Sequence, residues 1–250
     1  MDVDGDEMFN DLIRTQLILP YVQGGLNEGH LAEAAGGKLF PIENPNNSIR
    51  PLFIGSTWRR APASLSVTKV NSDVASFLMS TYDNFLQFAG QKDGTSRCPQ
   101  VTQLLASDWD VHNVDDPLVI MQLDIINAFC SVRRQARFDV LTEKASMSYD
   151  NGNVRNGDMV PCAPSLHKYC GYFQSMQGHA STLLFTDHRG QPHHLTCSKG
   201  GQQGDGFETV RFAVTIHPSI GRVFQRHFDC KGAAICDDIS FLPLFKKLWH

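Results

Sequence analysis

The chain has 250 residues, 42% of them hydrophobic and 19% charged, with a formal net charge of −4. This ordinary globular composition excludes a disordered, collagenous or coiled-coil chain, and no apolar run is long enough for a spanning helix. Seven scattered cysteines without a C-x-x-C pair, behind an acidic N-terminus, point to a reducing intracellular compartment, nuclear or cytoplasmic, with no membrane association and no secretion.

Residues 1–11 hold five acids and no base, so the rest of the chain has 22 Lys and Arg against 21 Asp and Glu. A nearly neutral body with basic pairs at Arg59–Arg60, Arg133–Arg134 and Lys246–Lys247 permits a phosphate-binding surface. In chain order, residues 7–18 predict a short helix ending near Pro20, and 28–36 a second one stopping at Gly36–Gly37. KLFPI (38–42) and IRPLFI (49–54), separated by ENPNNS, predict a hairpin with Pro41 and Pro51 confined to edge positions. Residues 55–66 predict a helix, 90–99 a loop and 101–109 a further helix. PLVIMQLDI (117–125) is the clearest strand, an apolar run ending in an acid. A helix over Val132–Leu141, a surface loop over 146–163, a helix over 164–176, a hairpin over 181–198 and a helix from Asp205 to Phe224 follow. The chain closes on two apolar runs, 231–245, with Asp237–Asp238 between them.

Chemistry concentrates at three places. Asp124 ends an apolar strand, and Asp237–Asp238 sit in the turn of an apolar hairpin, where paired carboxylates repel unless a cation offsets them. Magnesium suits such a place, since it takes a few carboxylates plus water and substrate phosphates. Two ions roughly 4 Å apart clamp the attacking and leaving oxygens of a phosphoryl transfer. SKGGQQGDGF (198–207) is the third place. Its glycines free the backbone for close approach to a ligand, and a helix starts behind it. His193, His194 and Cys197 form a weaker cluster, read as a polar turn with a thiol rather than a metal site. Tyr169, Tyr172 and Phe173 read as core rather than a base-stacking platform. Cys130 and Cys236, which flank the acids in sequence, read as packing residues.

The order of these segments carries more than any one of them. RPLFIGSTWRR (50–60), then Asp124, Asn127, Ala128 and Phe129 as D-x-x-N-A-F, then GGQQGDGF, then ICDD, resembles the reverse transcriptase domain of non-LTR retrotransposons and their cellular relatives. The resemblance covers roughly residues 30–245. It implies an α+β fold, a polymerase palm of antiparallel sheet backed by helices, with a fingers subdomain. Residues 1–29 would be an acidic extension, 30–115 fingers and connection, and 116–250 palm. The implied reaction is template-directed addition of deoxynucleotides to a primer 3′-hydroxyl, by an RNA-directed DNA polymerase. Its partners would be an RNA or DNA template with primer and deoxynucleoside triphosphates. Asp124, Asp237 and Asp238 would hold two Mg2+ ions, with Mn2+ as the alternative. Phe129 would be the steric gate against ribose, Gln203 and Gly204 would lie near the incoming nucleotide, and Arg50 with one of Arg59 or Arg60 would contact the triphosphate. The other arginine of the pair would occupy an exposed helix face.

The chain departs from the family's pattern at Ile235, where the hairpin carries an aromatic, at Gly206, where a proline follows GD, and at Gly201, where valine stands. Asn44 replaces a frequent lysine. The family's chains continue past the acidic hairpin with more palm, a primer grip and a thumb, so the expectation is an incomplete palm with the thumb absent. Two other readings stand beside this one. One is a non-catalytic, truncated retrotransposon remnant. The other is an RNA-dependent RNA polymerase, which would place an acid near Phe129.

Overall fold

The structure, a computed structural model, describes residues 7, 11–26, 31, 34–43, 45, 47, 49–112, 119–141, 148–150, 153–155, 166, 168–202 and 204–242. Gln203, Asp2, Asp4, Asp6, most of the helix expected over 28–36, the start of the strand expected from Pro117 and most of 146–163 lie outside them. The chain divides into two compact units, one of Met1–Lys69, Phe129–Phe138 and Leu166–Glu208, the other of Val70–Ala128, Asp139–Ser165 and Thr209–His250.

The first unit is built on a four-stranded sheet. Strands β1 (Gly37–Glu43) and β2 (Ile49–Gly55) form the expected hairpin, in register from Gly37↔Gly55 to Glu43↔Ile49. Strand order is β2-β1-β7-β8, with β7 spanning Ser181–Thr186 and β8 Pro192–Cys197. β1 meets β7 in parallel only at Gly37 and Lys38, and Pro41 pairs with Pro51. Pro41 thus lies beyond the shared ladder and Pro51 on the outer strand, where a missing N–H breaks least. Pro20 does not end the N-terminal helix. A π-helical turn, Arg14–Ile18, runs into α1 (Leu19–Gln23), which stops at Gly24 with φ 74°. Only glycine takes that φ freely, and a Cβ there would strike the Gly171 carbonyl.

The second unit carries a four-stranded sheet in the order β3-β9-β10-β4. β3 (Phe85–Gln87) pairs in parallel with β9 (Lys231–Ile235), which turns into antiparallel β10 (Asp238–Leu242), which pairs with β4 (Met121–Asp124). Helices back it. Phe224 of α7 (Glu208–Arg226) stacks on Phe85 and Phe241 at centroid distances of 4.8 and 4.9 Å, around buried Ala234 and Ile239. Cys98 of α3 (Gly94–His112) packs with Phe88 and Ala233.

Several boundaries differ from expectation for identifiable reasons. The helix from Thr57, α2, runs to Ser80 rather than 66. The loop expected over 90–99 is a loop only to Asp93. Its turn residues Asp93 (φ 57°) and Gly94 launch α3, which contains Pro99. The strand at 121–124 is exposed throughout, and among the described residues β4 is an edge strand hydrogen-bonded to β10 alone. The helix expected over 132–141 is two, α4 (Ala128–Ser131) and α5 (Arg134–Leu141). Within the expected loop, Ser148–Asp150 and Asn153–Arg155 form a short ladder, β5 and β6. The helix expected over 164–176 is α6, Cys170–Gln177. Among the described residues, no helix is long and apolar enough to cross a membrane.

Candidate active site

The acidic site lies in the second unit. β4 delivers Asp124 as its last residue, and β10 opens with Asp238 directly opposite it in the antiparallel register. Cross-strand partners share a face about 5 Å apart at Cβ. The next pair with the same facing is Gln122 and Ser240. Asp237 takes the second position of the two-residue turn, Cys236–Asp237, that joins Ile235 to Asp238. Asp238, rather than Asp237, is therefore the strand-paired neighbour of Asp124. A groove of about 570 Å³ opens along this face, between Cys98 and Thr102 of α3 and Gln122, Asp124, Asp238 and Ser240 of the sheet.

The thiols around the site register its charge. Burial first, then Asp237 and Asp238, push the Cys236 thiol up to about 12. Burial, then Asp238, pushes Cys98 up to about 11. Both thiols stay protonated and behave as packing groups. Among the described residues, no three His, Cys, Asp or Glu side chains converge into a protein-only metal centre. The donor set nevertheless suits magnesium, which is held through one or two carboxylates and completed by water and substrate phosphates.

One residue the motifs do not reveal is built into this site. Gln87, at the end of β3, is fully buried, and its side-chain amide grips Cys236 on both sides. Oε1 accepts the Cys236 N–H at 2.9 Å, and Nε2 donates to the Cys236 carbonyl at 3.2 Å. A lone glutamine 149 positions before its partner leaves no spacing signal.

The other sequence candidates lie in the first unit, except Gln203, which is outside the described residues. Arg59 is fully buried, its Nη2 2.7 Å from Asp205 Oδ2 and its Nη1 donating to the Ala35 carbonyl at 3.2 Å. Burial alone would lower its pKa, but Asp205 and then Tyr172 more than offset that, and the guanidinium is held charged. Arg60 and Arg50 are exposed. The pair thus divides only in part as expected: Arg60 lies on an exposed helix face, but Arg59 is not free to contact a triphosphate. The buried one is committed to an ion pair inside the protein.

The glycine loop is packed rather than open. A Cβ on Gly200 would strike Cys130, on Gly201 the Glu208 carboxylate and on Gly204 the Phe53 carbonyl. Gly201 N–H donates to the carbonyl of half-buried Phe129 at 2.7 Å, and Arg134 Nε to the carbonyl of Gly200 at 3.1 Å. Asp205 Oδ1 accepts the Phe207 N–H at 3.0 Å, and Glu208 pairs with Arg137 at 2.6 Å. The close approach these glycines permit is made at least in part by the protein's own chain. Tyr172 and Phe173 are buried around Phe207, as core. His193 stacks on Phe185 and pairs with Asp187 at 3.0 Å, and Cys197 donates to the Lys199 carbonyl, so the cluster is a hairpin surface.

No protein-family model matches the chain, and no curated protein matches it. Solved structures are similar in fold. Telomerase from Candida albicans, in complex with a TWJ fragment of telomeric RNA, superposes with a TM-score of 0.58 at 11% identity, over 90% of this chain and 40% of that one. Apo telomerase from Candida tropicalis superposes at 0.57 and 12% identity, over 97% and 45%. The same enzyme truncated from its C-terminal domain gives 0.53 at 13%, over 95% and 49%. This chain spans less than half the length of each of these neighbours. Two mainly antiparallel sheets backed by helices, one ending in the Asp124–Asp238 pair, together with these superpositions, give the chain a reverse-transcriptase-like polymerase palm fold.

Proposed function

We propose that the chain carries out template-directed nucleotidyl transfer of the reverse transcriptase kind, adding deoxynucleotides to a primer 3′-hydroxyl on an RNA or DNA template, as in non-LTR retrotransposons and their cellular relatives. The observation that supports this reading most is the Asp124–Asp238 cross-strand pair beside the Asp237 turn on a palm-type sheet. Asp124 and Asp238, with Asp237 beside them in the turn, would be the groups to hold Mg2+, or Mn2+. Bound there, the ions supply acidity to the attacking hydroxyl and neutralise the leaving pyrophosphate. The chain's own residues do the rest. The carboxylates fix positions for cations and keep the site anionic, so that uncoordinated phosphate is repelled. Exposed Arg50 and Arg60 offer guanidinium forks to triphosphate oxygens. As the family resemblance implies, Phe129 would act as the steric gate against a ribose 2′-hydroxyl, and Gln203 and Gly204 would contact the incoming nucleotide. Arg59 acts through Asp205, holding the loop in which Gly204 lies.

A labelled primer annealed to RNA and to DNA templates, incubated with the chain, Mg2+ and deoxynucleotides, tests the proposal. Stepwise deoxynucleotide addition is expected, with Phe129→Ala raising ribonucleotide addition. Duplex binding with no addition would replace it by the non-catalytic reading, and a preference for ribonucleotides in the wild type by the RNA-polymerase reading.

A further inference from the structure

We propose that Gln87 is a positioning residue for the turn that bears Asp237. The turn between β9 and β10 has its positive φ at the first central residue, Cys236, at 54°. Hairpin turns of that form take glycine there, and a side-chain-bearing residue stays only when its surroundings hold it.

Gln87 supplies that hold. The Cys236 N–H belongs to the peptide plane before Cα and its carbonyl to the plane after it, and Gln87 bonds both. Pinning the two planes fixes φ and ψ of Cys236 together, and the second plane leads directly into Asp237. The clamp is itself anchored. Gln87 pairs with Ala234 in the β3–β9 ladder, Phe88 N–H donates to the Ala234 carbonyl at 2.8 Å, and Gln87 Oε1 also accepts the Ala89 N–H at 3.2 Å. The Gln87 side-chain amide carries both the donor and the acceptor this grip requires. Methionine has the shape and neither function.

The consequence for turnover rests on the nucleotidyl-transfer reading, while the clamp does not. Two measurements on the full chain separate them, made on wild type, Gln87→Met, Cys236→Gly and the double variant. Hydrogen exchange reads the clamp. In Gln87→Met the Cys236 amide should exchange about a hundredfold faster, with Ala233 and Ala234 unchanged. Primer extension reads the consequence. Gln87→Met should lose about tenfold in kcat with KM for the deoxynucleotide unchanged, and Cys236→Gly should restore it in the double variant, because glycine adopts the turn unaided. A Cys236 amide that stays protected in Gln87→Met, or a double variant no better than the single, overturns the proposal. Where Gln87→Met alone does not fold, recovery of the fold in the double variant supports the clamp, and an equally unfolded double variant overturns it. If the wild type adds no nucleotide, the nucleotidyl-transfer reading fails and the exchange result alone decides the clamp.

Discussion

Asp124 and Asp238 stand directly opposite one another across the β4–β10 ladder, two carboxylates on one face of a palm-type sheet. Like charges in that relation destabilise a sheet by about 0.2–1 kcal/mol, and exposure to solvent keeps the effect at the lower end. Asp124→Asn should therefore raise the unfolding midpoint slightly in chelator at low salt, with the gain shrinking as salt screens it. Urea unfolding at two ionic strengths reads this, and a destabilised variant would mean the two carboxylates do not repel.

The Arg59–Asp205 pair is buried on both sides. Removing one member of such a pair leaves an uncompensated charge and costs about 3–5 kcal/mol. Arg59→Met should be strongly destabilised, and Arg59→Met combined with Asp205→Leu should recover much of the loss. Arg60→Ala, on the exposed face, should leave stability unchanged. Equal effects of Arg59→Met and Arg60→Ala on the denaturation midpoint would contradict the assignment.

His217 is fully buried among the rings of Phe77, Tyr82 and Phe85, with neither ring nitrogen hydrogen-bonded. Burial lowers its pKa from 6.5 to about 4. The unfolded chain takes up the proton first as pH falls, so stability is intact above about pH 6.5 and is lost progressively down to about 4, by about 3 kcal/mol. His217→Leu should flatten that part of the profile. An unchanged slope of urea stability between pH 6.5 and 4.5 would assign the acid sensitivity to other groups.

The Cys236 thiol is only half-buried, yet burial and the two neighbouring carboxylates hold it at about 12. Thiolate is the reactive form, so alkylation at pH 8 should be about a thousandfold slower than for an unperturbed thiol. Asp237→Asn should speed it. Rapid labelling of Cys236 in the folded wild type would show that burial and the two carboxylates do not hold the thiol protonated.

What could be read from the residues alone was what short-range chemistry marks. An apolar strand ending in Asp124 and an apolar hairpin broken by Asp237–Asp238 announce both strands and their acids. The hairpin of β1 and β2 shows in its two apolar runs and polar turn. Adjacent residues on a helix point about 100° apart, so Arg59 and Arg60 can meet different surroundings, one buried and one exposed. Which one depends on Asp205, 146 positions later. The glycines of 200–204 look the same in sequence whether a ligand or the protein's own backbone comes close, and Cys130, Glu208 and Phe53 come close. The edge position of 121–124 follows from strand order, which composition does not encode. Gln87 is silent for the same reason, since its role exists only once β3 lies beside β9.

The central claim is that β4 and the β9–β10 hairpin form one cation site for nucleotidyl transfer. Mn2+ binding to the full chain, followed by electron paramagnetic resonance with a deoxynucleoside triphosphate present, tests it most directly. The account predicts bound Mn2+ in the wild type and affinity weakened about tenfold or more in both Asp124→Asn and Asp238→Asn, since carboxylates are the protein's share of such a site. Equal Mn2+ affinity in all three proteins would contradict it.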